Sequence, residues 1–561
     1  MPPFQTDKEL LEFAKHCQHD TFNLKNRMIL SLNCLSRLLD PRLDYLPYFN
    51  VFMTDPPEAC HDWPDYGDMT GRYLEAHLMI EEMTGVKTIE QEKLKALLLS
   101  FFSGNDGLSY RHPKPWHEKS ALMFDQSRVL FALNRWYGKT RDKKLLSVIN
   151  KFLKGLLSVA TKKGNYYSWG GCGFLPPGSP NRTMSKIGPA YDTGIMIEPL
   201  LDCYEITGNP LALELAAGAI DYIIFDSGEF GPNGEYTWHL HSHSATAIGA
   251  VRYGLLFHKQ SYIDWGQRVY EFTKKHGTDF GWMREAVDRK DDLIGCETCC
   301  IMDMIELGIL LAQAGYKDYY DDVERFGKNH LLESQILDAD WLSDTKRKEG
   351  TERYTCDNVK NRMLGSFAGW SAPNDILAYE ECYLHDRFEI GTPGFFDGKV
   401  RLLQSCCNAS GPKGIYFLWR HAVHKIGENV YVHLLFTNDY EKVRVKNHIP
   451  REGRIEISVI NAPTLLVRIP RFADNRSLKV TRDNKPVDTK FKNDYLMLTG
   501  NLPVSNIALT FDLTEREDSV TICNEGFKQF TYNYKWVGDT VVKMEPKGKY
   551  FHLYNRSHLL D

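Results

Sequence analysis

The sequence predicts a multidomain α + β protein, an (α/α)6 toroid or barrel of helical hairpins followed by β-sandwich structure. Three observations support this prediction. Amphipathic helical stretches recur in pairs over roughly the first 335 residues, aromatic and glycine-rich segments separate them, and short β-branched runs take over after about residue 400. The chain has 561 residues, and a typical domain has about 100 to 200. More than one domain is therefore expected.

Paired helices are predicted from stretches such as "GRYLEAHLMIEEMTGVKT" and "MDMIELGILLAQAGYKDYYDD", in which apolar residues recur at helical spacing. Glycines are expected to mark the turns between paired helices, namely Gly85, Gly138, Gly208 and Gly315. About six units of roughly 50 residues favour a closed α/α toroid. An open α-solenoid would show the same periodicity.

Long aromatic and glycine-rich segments lie between the helices, among them "HDWPDYGDMTGR" and "GNYYSWGGCGFLPPGSP". Loops of this length are uncommon unless they are functional. Tyr and Trp rings suit sugar rings, and Asp, Glu and His suit hydroxyl groups, so the loops predict a carbohydrate-binding cleft. Trp169, Tyr191, Asp65 and Asp68 are candidate sugar-binding residues, and the two aspartates would alternatively cap a helix.

The last third of the chain is predicted to be a β-sandwich, because "NVYVHLLF", "RIEISVI" and "IALTFDL" are short runs separated by turn residues. The expected domains are a catalytic barrel over residues 1–400, a junction over 401–425 and an accessory β-sandwich over 426–561. The junction carries two adjacent cysteines and a helix that packs back on the barrel.

Composition excludes several classes of protein. A net charge of −5 without a basic cluster argues against nucleic acid, and the lack of an apolar run of about 18 residues argues against a membrane span. The 13 cysteines are scattered and odd in number, which suits a reducing compartment. The first residues have no signal-peptide core, which predicts a cytoplasmic protein, or a periplasmic or secreted one if a leader has been removed. A homodimer is left open.

Two clusters of cysteines stand out, "CETCC" at 296–300 and the pair Cys406 and Cys407, which precedes a Ser-Gly-Pro turn. A disulfide between neighbouring residues is strained and rare. The pair therefore indicates two metal ligands, or one ligand beside a nucleophile. Glu297 and Cys299, at the start of a predicted helix, would complete a tetrahedral set of one carboxylate and three thiols, which favours zinc. The alternative is a group of buried core thiols.

A second arrangement is "HLHSHS", in which His239, His241 and His243 alternate. In an extended segment all three would share one face, as a metal site requires. The alternatives are sugar binding by one or two of them, which we favour, and a helix cap formed by Ser244.

With these motifs the chain resembles the β-L-arabinofuranosidase superfamily, that is, glycoside hydrolase family 127 and its relatives. The resemblance rests on Glu-x-Cys opening a helix, followed roughly a hundred positions later by Cys-Cys-Asn, a helix and a β-rich region. It implies an (α/α)6 barrel with β-sandwich accessory domains. It also implies a zinc ion held by one Glu and three Cys, with one zinc-bound cysteine attacking the anomeric carbon.

Carried over to this chain, the resemblance assigns Glu297, Cys299, Cys406 and Cys407 as zinc ligands and Cys406 as the nucleophile. His243 matches a substrate-binding histidine of the family.

The general acid/base of the family is a glutamate ahead of the Glu-x-Cys helix, and Glu285 is the glutamate available here. Asp288, Asp291 and Asp292 are its rivals, and a surface salt-bridging loop is the alternative for all four.

A histidine that the family places after a glycine is Ile195 in this chain. Losing a polar contact at a site that reads hydroxyl groups is expected to change which sugar fits.

The predicted function is a zinc-dependent, retaining glycoside hydrolase that releases a terminal sugar, β-L-arabinofuranoside-like or related. A thiol with a pKa near ~8.5 is mostly protonated at neutral pH, and zinc would deprotonate it. Thiolate attack with protonation of the leaving oxygen by Glu285, then hydrolysis, gives retention. Cys407 would anchor the metal while Cys406 moves between metal and sugar. The alternatives are a polysaccharide lyase or unsaturated-uronyl hydrolase of toroid fold, and a non-catalytic carbohydrate-binding protein with a structural zinc.

Overall fold

The computed structural model describes residues 7–16, 22–287, 295–346, 350–378, 395–396, 399–400, 402–474, 476–488, 490–522 and 529–560. Asp288, Asp291 and Asp292, the rivals of Glu285, lie outside these ranges. The described chain is a mixed α + β structure with a helical first part and a sheet-rich last part, as the sequence predicts.

Fifteen α-helices occur in the described ranges, and all end before residue 423. They are Asp7–His16 (α1), Leu24–Arg37 (α2), Gly71–Thr84 (α3), Glu90–Ser100 (α4), Met123–Thr140 (α5), Lys143–Val159 (α6), Pro189–Asp192 (α7), Ile197–Thr207 (α8), Pro210–Phe225 (α9), Leu240–Leu256 (α10), Gln260–Lys275 (α11), Thr298–Gln313 (α12), Tyr319–Phe326 (α13), Val359–Arg362 (α14) and Cys406–Ala422 (α15). None of these helices combines the length and the apolar character needed to cross a bilayer.

Six helices contact one another in sequence and return to the start: α3 contacts α5, then α8, α10, α12 and α15 follow, and α15 contacts α3. A second helix packs on each of them: α4 on α3, α6 on α5, α9 on α8, α11 on α10, α13 on α12 and α2 on α15. Burial follows this arrangement. Helix α12 is buried nearly all round, whereas α6 buries one face, because a helix between other helices has no side left for solvent.

The predicted turn glycines are confirmed at three of four positions. Gly85 and Gly208 end α3 and α8 with φ of 76° and 70°, and Gly315, with φ of 113°, follows α12. The prediction at Gly138 is wrong, because α5 continues to Thr140 and ends on Arg141. A glycine inside a helix costs only about 1 kcal/mol relative to alanine, and tertiary packing readily overrides that preference.

The described ranges also contain 26 strands. Those that precede α15 are short: Leu39–Asp40 (β1), Leu46–Pro47 (β2), Asn50–Phe52 (β3), Glu58–Cys60 (β4), Ala121–Leu122 (β5), Thr161–Lys163 (β6), Tyr166–Ser168 (β7), Gly173–Phe174 (β8), Trp238–His239 (β9), Ala286–Val287 (β10), Tyr354–Thr355 (β11), Phe395–Phe396 (β12), Lys399–Val400 (β13) and Leu402–Gln404 (β14). The others follow α15: Val423–Ile426 (β15), Asn429–Val432 (β16), Asn438–Asp439 (β17), Val443–Asn447 (β18), Arg454–Arg468 (β19), Lys479–Arg482 (β20), Lys485–Pro486 (β21), Lys490–Lys492 (β22), Tyr495–Thr510 (β23), Glu515–Ile522 (β24), Phe530–Val537 (β25) and Thr540–Glu545 (β26).

Strands β15 to β23 form one sheet with the main order β15-β16-β19-β23-β20-β21. Its long strands β19 and β23 pair antiparallel, with an irregularity between Ala462 and Thr464. Ile455, Ile457 and Val459 alternate on one face of β19 and are buried, which is the period-two pattern of a strand with one core face. These strands enclose a hydrophobic core of their own.

The last three strands pack back on the helices. Strands β24, β25 and β26 form a separate antiparallel sheet. Lys328 Nζ lies 2.5 Å from Asp539 Oδ2, and the backbone N–H of Val541 donates to Asn329 Oδ1 over 2.8 Å. The sheet-rich part and the helical part are therefore joined by buried polar contacts.

Candidate active site

The adjacent cysteines lie in the first turn of α15. The Ser-Gly-Pro turn that the sequence predicts after them does not form. The helix starts at Cys406 and continues through Pro412. Asn408 Oδ1 accepts a hydrogen bond of 3.0 Å from the backbone N–H of Phe367. Gly411 meets the Phe367 ring so closely that a Cβ there would lie 2.4 Å from it. Packing on Phe367 thus keeps the Ser-Gly-Pro segment helical in spite of its turn-like composition.

Three thiols converge at this point. Cys299, in the first turn of α12, has its Sγ 3.8 Å from Cys407 Sγ, and the Sγ atoms of Cys406 and Cys407 are 4.0 Å apart. All three sulfurs lie within 4.8 Å of one another and could hold a metal ion. Cys406 is 7% exposed, whereas Cys299 and Cys407 are 1% and 0% exposed. Cys406 is thus the thiol that a ligand reaches first.

Cys299 is the thiol of this cluster whose surroundings favour the thiolate most. Ser410 Oγ donates to its Sγ over 3.3 Å, and Arg72 Nη1 lies 3.9 Å away. Hydrogen bonds from Cys406 and Cys407, helped by the charge of Arg72, lower the pKa of the Cys299 thiol well below its usual value. The same contact with Cys299 raises the pKa of Cys406. The helix N-terminus at Cys299 adds to this preference for an anion.

A second group lies beside the thiols and contains Glu285, Glu297 and His239, whose ligand atoms are all within 4.8 Å of one another. Pairing of β9 with β10 places His239 opposite Ala286, and the N–H of Leu240 donates to the carbonyl of Glu285 over 2.7 Å. Glu297 Oε2 lies 3.6 Å from His239 Nε2. The general acid/base candidate and a predicted metal ligand are therefore neighbours.

Glu297 does not share one group with the three thiols, although it is two residues from Cys299 in the chain. Its carboxylate belongs to the group with His239 and Glu285. Its charge still acts on the thiols: burial and the hydrogen bond with Cys299 are the main causes that raise the pKa of Cys407, and the charge of Glu297 raises it further. Glu297 is thus the member of the second group that is nearest to the thiols along the chain.

The extended segment in which His239, His241 and His243 would share one face does not form. Helix α10 starts at Leu240, directly after β9, and residues two apart on a helix point to opposite sides. His243 is buried, with Nδ1–H donating to the carbonyl of His239 over 2.8 Å and Nε2 2.9 Å from Glu229 Oε1. Ser244 lies inside α10 and does not cap it.

His241 joins two arginines to an aspartate. Its Nδ1–H donates to Asp303 Oδ2 over 2.6 Å. Its Nε2 accepts hydrogen bonds from Arg72 Nη2 over 3.1 Å and from Arg128 Nη2 over 2.8 Å. Ser244 Oγ also donates to Asp303, over 2.6 Å. Both ring nitrogens of His241 thus have protein partners, and the ring accepts at Nε2.

The two candidate aspartates have different surroundings. Asp68 Oδ1 accepts a hydrogen bond of 2.6 Å from Arg72 Nε. Arg72 in turn contacts Cys299, so a single side chain lies between the Asp68 carboxylate and the thiol cluster. Asp65 is fully buried, with Oδ2 2.8 Å from His61 Nδ1. Of the two, Asp68 is the one next to the converging cysteines.

The two aromatic candidates also differ. Trp169 is 2% exposed, and its Nε1–H donates to the carbonyl of Leu156 over 3.1 Å. Tyr191 is half-buried and stacks on Phe124 with ring centroids 4.8 Å apart. Trp238 lies 6.2 Å from the Tyr191 ring. The rings of Phe124, Tyr191 and Trp238 thus follow one another and end at His239.

Trp238 has an unusual backbone. Its φ is 77°, a left-handed conformation that is rare for a bulky residue and costs roughly 1–3 kcal/mol. The pairing of Trp238 with Val287 holds this conformation. Strain of this kind concentrates at functional sites, which agrees with the position of Trp238 next to His239.

Sequence reasoning missed the arginines of the site. Arg128 follows Phe124 by four residues and precedes Phe131 by three, so the charge falls on the apolar stripe of α5. A charged residue on such a stripe must find partners inside the protein. That signal was present in the sequence and would have found Arg128.

Comparison with known proteins identifies a family that part of this chain matches. Residues 154–343, about a third of the chain, match the family model described as β-L-arabinofuranosidase, GH127 catalytic domain. The match includes Glu285, Glu297 and Cys299 and ends before Cys406 and Cys407. A search of curated proteins found no match.

Solved structures with a similar fold include a GH127 β-L-arabinofuranosidase from Geobacillus stearothermophilus T6, with 16% identity, a TM-score of 0.56 and coverage of 84% of this chain and 75% of that one. Another is the GH127 β-arabinofuranosidase BT3674, with 14% identity, a TM-score of 0.60 and coverage of 95% and 82%. A third, titled glycoside hydrolase, has 13% identity, a TM-score of 0.55 and coverage of 90% and 85%.

The class that the fold, the site and the family match support is a glycoside hydrolase. Within that class, the resemblance to family 127 that the Glu-x-Cys and Cys-Cys motifs predict is confirmed.

Proposed function

We propose that this chain is a retaining glycoside hydrolase in which Cys406 is the nucleophile and Glu285 is the general acid/base. One observation carries the proposal: three thiols from stretches 108 positions apart converge beside a pair of glutamates, in a chain with a GH127 catalytic-domain match. Buried core thiols would not need this set of ionisable neighbours.

The metal that we propose is zinc, held by Cys299, Cys406 and Cys407, with Glu297 as the fourth ligand once its carboxylate turns from His239 and Glu285 toward the thiols. Around a tetrahedral ion with Zn–S bonds of about 2.3 Å, neighbouring sulfurs are about 3.8 Å apart. The sulfur separations of 3.8 and 4.0 Å fit this value. Bound zinc would neutralise the thiolates, which repel one another when buried without a cation.

Each thiol then has its own task. Cys299 and Cys407 are the least exposed and would anchor the metal. Ser410 and Arg72 donate to Cys299 and keep it anionic. Cys406 is the most exposed of the three, so its sulfur is the one that can reach the anomeric carbon of a sugar.

Glu285 would protonate the leaving oxygen as Cys406 attacks, and would later take a proton from the water that cleaves the thioglycosyl bond. Two inversions at the anomeric carbon give net retention. His239 and Glu297 lie within 4.8 Å of the Glu285 carboxylate. Their ionisable groups can hold and exchange its proton.

The substrate that we propose is the terminal sugar of an oligosaccharide or glycan. β-L-Arabinofuranoside, named for the similar enzymes, is the first candidate. Tyr191 and Trp238 would contact the sugar ring, because both rings are partly accessible. His241, His243, Asp65 and Trp169 would position these contacts from behind, since each already has a protein partner.

We further propose that the helical part is an (α/α)6 barrel and the sheet-rich part a β-sandwich. The proposed domains are the barrel over residues 1–400, the junction over 401–425 and the β-sandwich over 426–561. The ring of six mutually contacting helices, each with a second helix packed on it, supports the barrel. The separate hydrophobic core enclosed by the strands supports the sandwich.

The test compares Cys406→Ser with Cys407→Ser. We expect Cys406→Ser to abolish release of reducing sugar while the purified protein still holds zinc, and Cys407→Ser to lose zinc and activity together. Cys203→Ser removes a buried thiol outside the site and controls for general effects on folding.

Equal zinc loss in both variants would contradict separate roles for the two cysteines. Formation of an unsaturated uronide, detected by its ultraviolet absorbance, would instead indicate a lyase. Sugar binding without any release of reducing sugar would indicate a carbohydrate-binding protein with a structural zinc.

A further inference from the structure

Arg128 lies beside Arg72 within the candidate site and has no obvious function in the proposed chemistry. Both guanidinium groups donate to the same atom, His241 Nε2, over 2.8 and 3.1 Å. Arg72 also reaches the thiols, with its Nη1 3.9 Å from Cys299 Sγ. The two positive charges therefore share one end of the site, next to the point where a sugar would meet Cys406.

The arginines of this region differ in how they are neutralised. Arg111 makes two hydrogen bonds of 2.5 and 2.6 Å to the carboxylate of Asp125. Arg72 makes one of 2.6 Å to Asp68. Among the described residues, no carboxylate lies within hydrogen-bond distance of Arg128. Its Nε is buried without a partner, and the nearer Asp68 oxygen is 3.9 Å from it.

Leaving such a group unpaired is costly. Arg128 is only 4% exposed, and a buried charge without a hydrogen-bonded counter-ion is strongly unfavourable. Its partner His241 accepts hydrogen bonds at Nε2 and donates to Asp303 at Nδ1, so the ring contributes a dipole and no negative charge. Phe124 lies against both guanidinium groups, 4.9 Å from that of Arg128 and 5.6 Å from that of Arg72. An apolar neighbour of this kind strengthens any charge pairing that forms.

We propose that Arg128, together with Arg72, binds a carboxylate on the sugar, so that the substrate is a terminal acidic sugar of the uronic acid class. This inference rests on the proposed glycoside hydrolysis, and for the same site it replaces neutral β-L-arabinofuranoside, the first candidate, with an acidic sugar. A planar guanidinium pairs with a carboxylate through charge-assisted hydrogen bonds, often two at once. Arg72 contacts both His241 and Cys299. A carboxylate bound by the two arginines would therefore belong to the same sugar ring whose anomeric carbon meets the thiols.

The first experiment measures binding without turnover. Isothermal titration calorimetry on the zinc-loaded protein compares D-galacturonate and D-glucuronate with D-galactose and D-glucose. We expect at least one acidic sugar to bind about 10- to 100-fold more tightly than its neutral counterpart, the range for a hydrogen bond to a charged group.

Arg128→Gln tests the residue itself, and we expect it to remove most of that preference. Arg135→Gln is the matched control, because Arg135 is a half-buried arginine of the same helix, paired with Glu82 and Tyr416 away from the thiols. It should keep the preference. Arg128→Lys keeps the charge without the planar fork and should restore part of the preference.

The second experiment compares kcat/KM for p-nitrophenyl glucuronides and galacturonides with kcat/KM for the matched glucosides, galactosides and arabinosides. A higher value for an acidic glycoside, lost in Arg128→Gln, supports the inference. Cleavage of neutral glycosides at an equal or higher kcat/KM overturns it and leaves the proposed function standing. Tight binding of an acidic sugar without hydrolysis of any glycoside supports the acidic subsite and overturns the proposed function. Equal affinity for acidic and neutral sugars overturns the inference.

Discussion

Gly71 determines how closely α3 approaches α5 at the candidate site. A Cβ at this position would lie 2.6 Å from the carbonyl carbon of Arg128 and 2.7 Å from its oxygen. Backbone atoms cannot move aside as a side chain can, so Gly71→Ala must push the two helices apart. Overpacking of this kind costs about 1–3 kcal/mol, although alanine is the better helix former by about 1 kcal/mol.

Gly138→Ala is the matched control, because Gly138 is also helical. A Cβ there would meet only Ile206, at 3.8 Å. This variant should gain about 0.5–1 kcal/mol from helix propensity. The same substitution is therefore expected to change stability in opposite directions at the two positions. With an entropy of unfolding of about 2.1 cal/mol/K per residue, the expected shifts in Tm are about 1 to 2.5 °C down for Gly71→Ala and about 0.5 to 1 °C up for Gly138→Ala.

Differential scanning calorimetry measures both shifts, and assays of glycoside hydrolysis report the effect on the site. Separation of α3 from α5 also moves Arg72 away from Arg128, so Gly71→Ala should lose activity at temperatures where it stays folded. A Gly71→Ala protein as stable and as active as the wild type would refute the close approach of these helices. Destabilisation by Gly138→Ala would refute the reasoning on propensity.

Three further outcomes are expected. Glu285→Gln should lower kcat/KM by about 10²- to 10⁴-fold for alkyl glycosides and by less for p-nitrophenyl glycosides, whose leaving group needs no proton. An equal loss for both substrates would contradict its role as the acid. Asp303→Asn should lower the Tm, because Asp303 accepts hydrogen bonds from both His241 and Ser244 and a buried donor left unpaired costs about 1–3 kcal/mol. Retained stability and activity would show that this aspartate does not hold His241. Burial, reinforced by the charge of Glu198, raises the pKa of Glu306 well above 4.5. The native state therefore binds this proton more tightly than the unfolded chain, and stability falls as pH rises above that value. Glu306→Gln should therefore raise the Tm above that of the wild type by more at pH 8 than at pH 5. An increase in Tm that does not depend on pH would contradict the raised pKa of Glu306.

The position of the site follows from the direction of the helices. Helices α3, α5, α10, α12 and α15 bring residues of their first or second turns together, as the contacts among Arg72, Arg128, His241, Cys299 and Cys407 show. Helix N-termini carry partial positive charge. Their convergence favours thiolates and carboxylates in this region, which is the charge state that metal binding and nucleophilic attack require.

Local pattern predicted much of this fold. Helical periodicity with glycine punctuation gave the hairpins at Gly85 and Gly208 correctly. It failed at Gly138 and at the Ser-Gly-Pro segment after Cys407 because neighbouring elements stabilise those helices. It failed for the histidines because the change from strand to helix at Leu240 reverses which side chains share a face.

The sequence by itself determined the kinds of donor available: three thiols and Glu297 at the starts of helices, with Glu285 ahead of them, in motifs that resemble those of family 127. Tertiary structure alone decided that Glu297 lies with His239 and Glu285 and outside the group of three thiols. It also decided that Arg128 shares His241 with Arg72. The physical reason is that these contacts join residues far apart in the chain, and their distances depend on how whole helix faces pack.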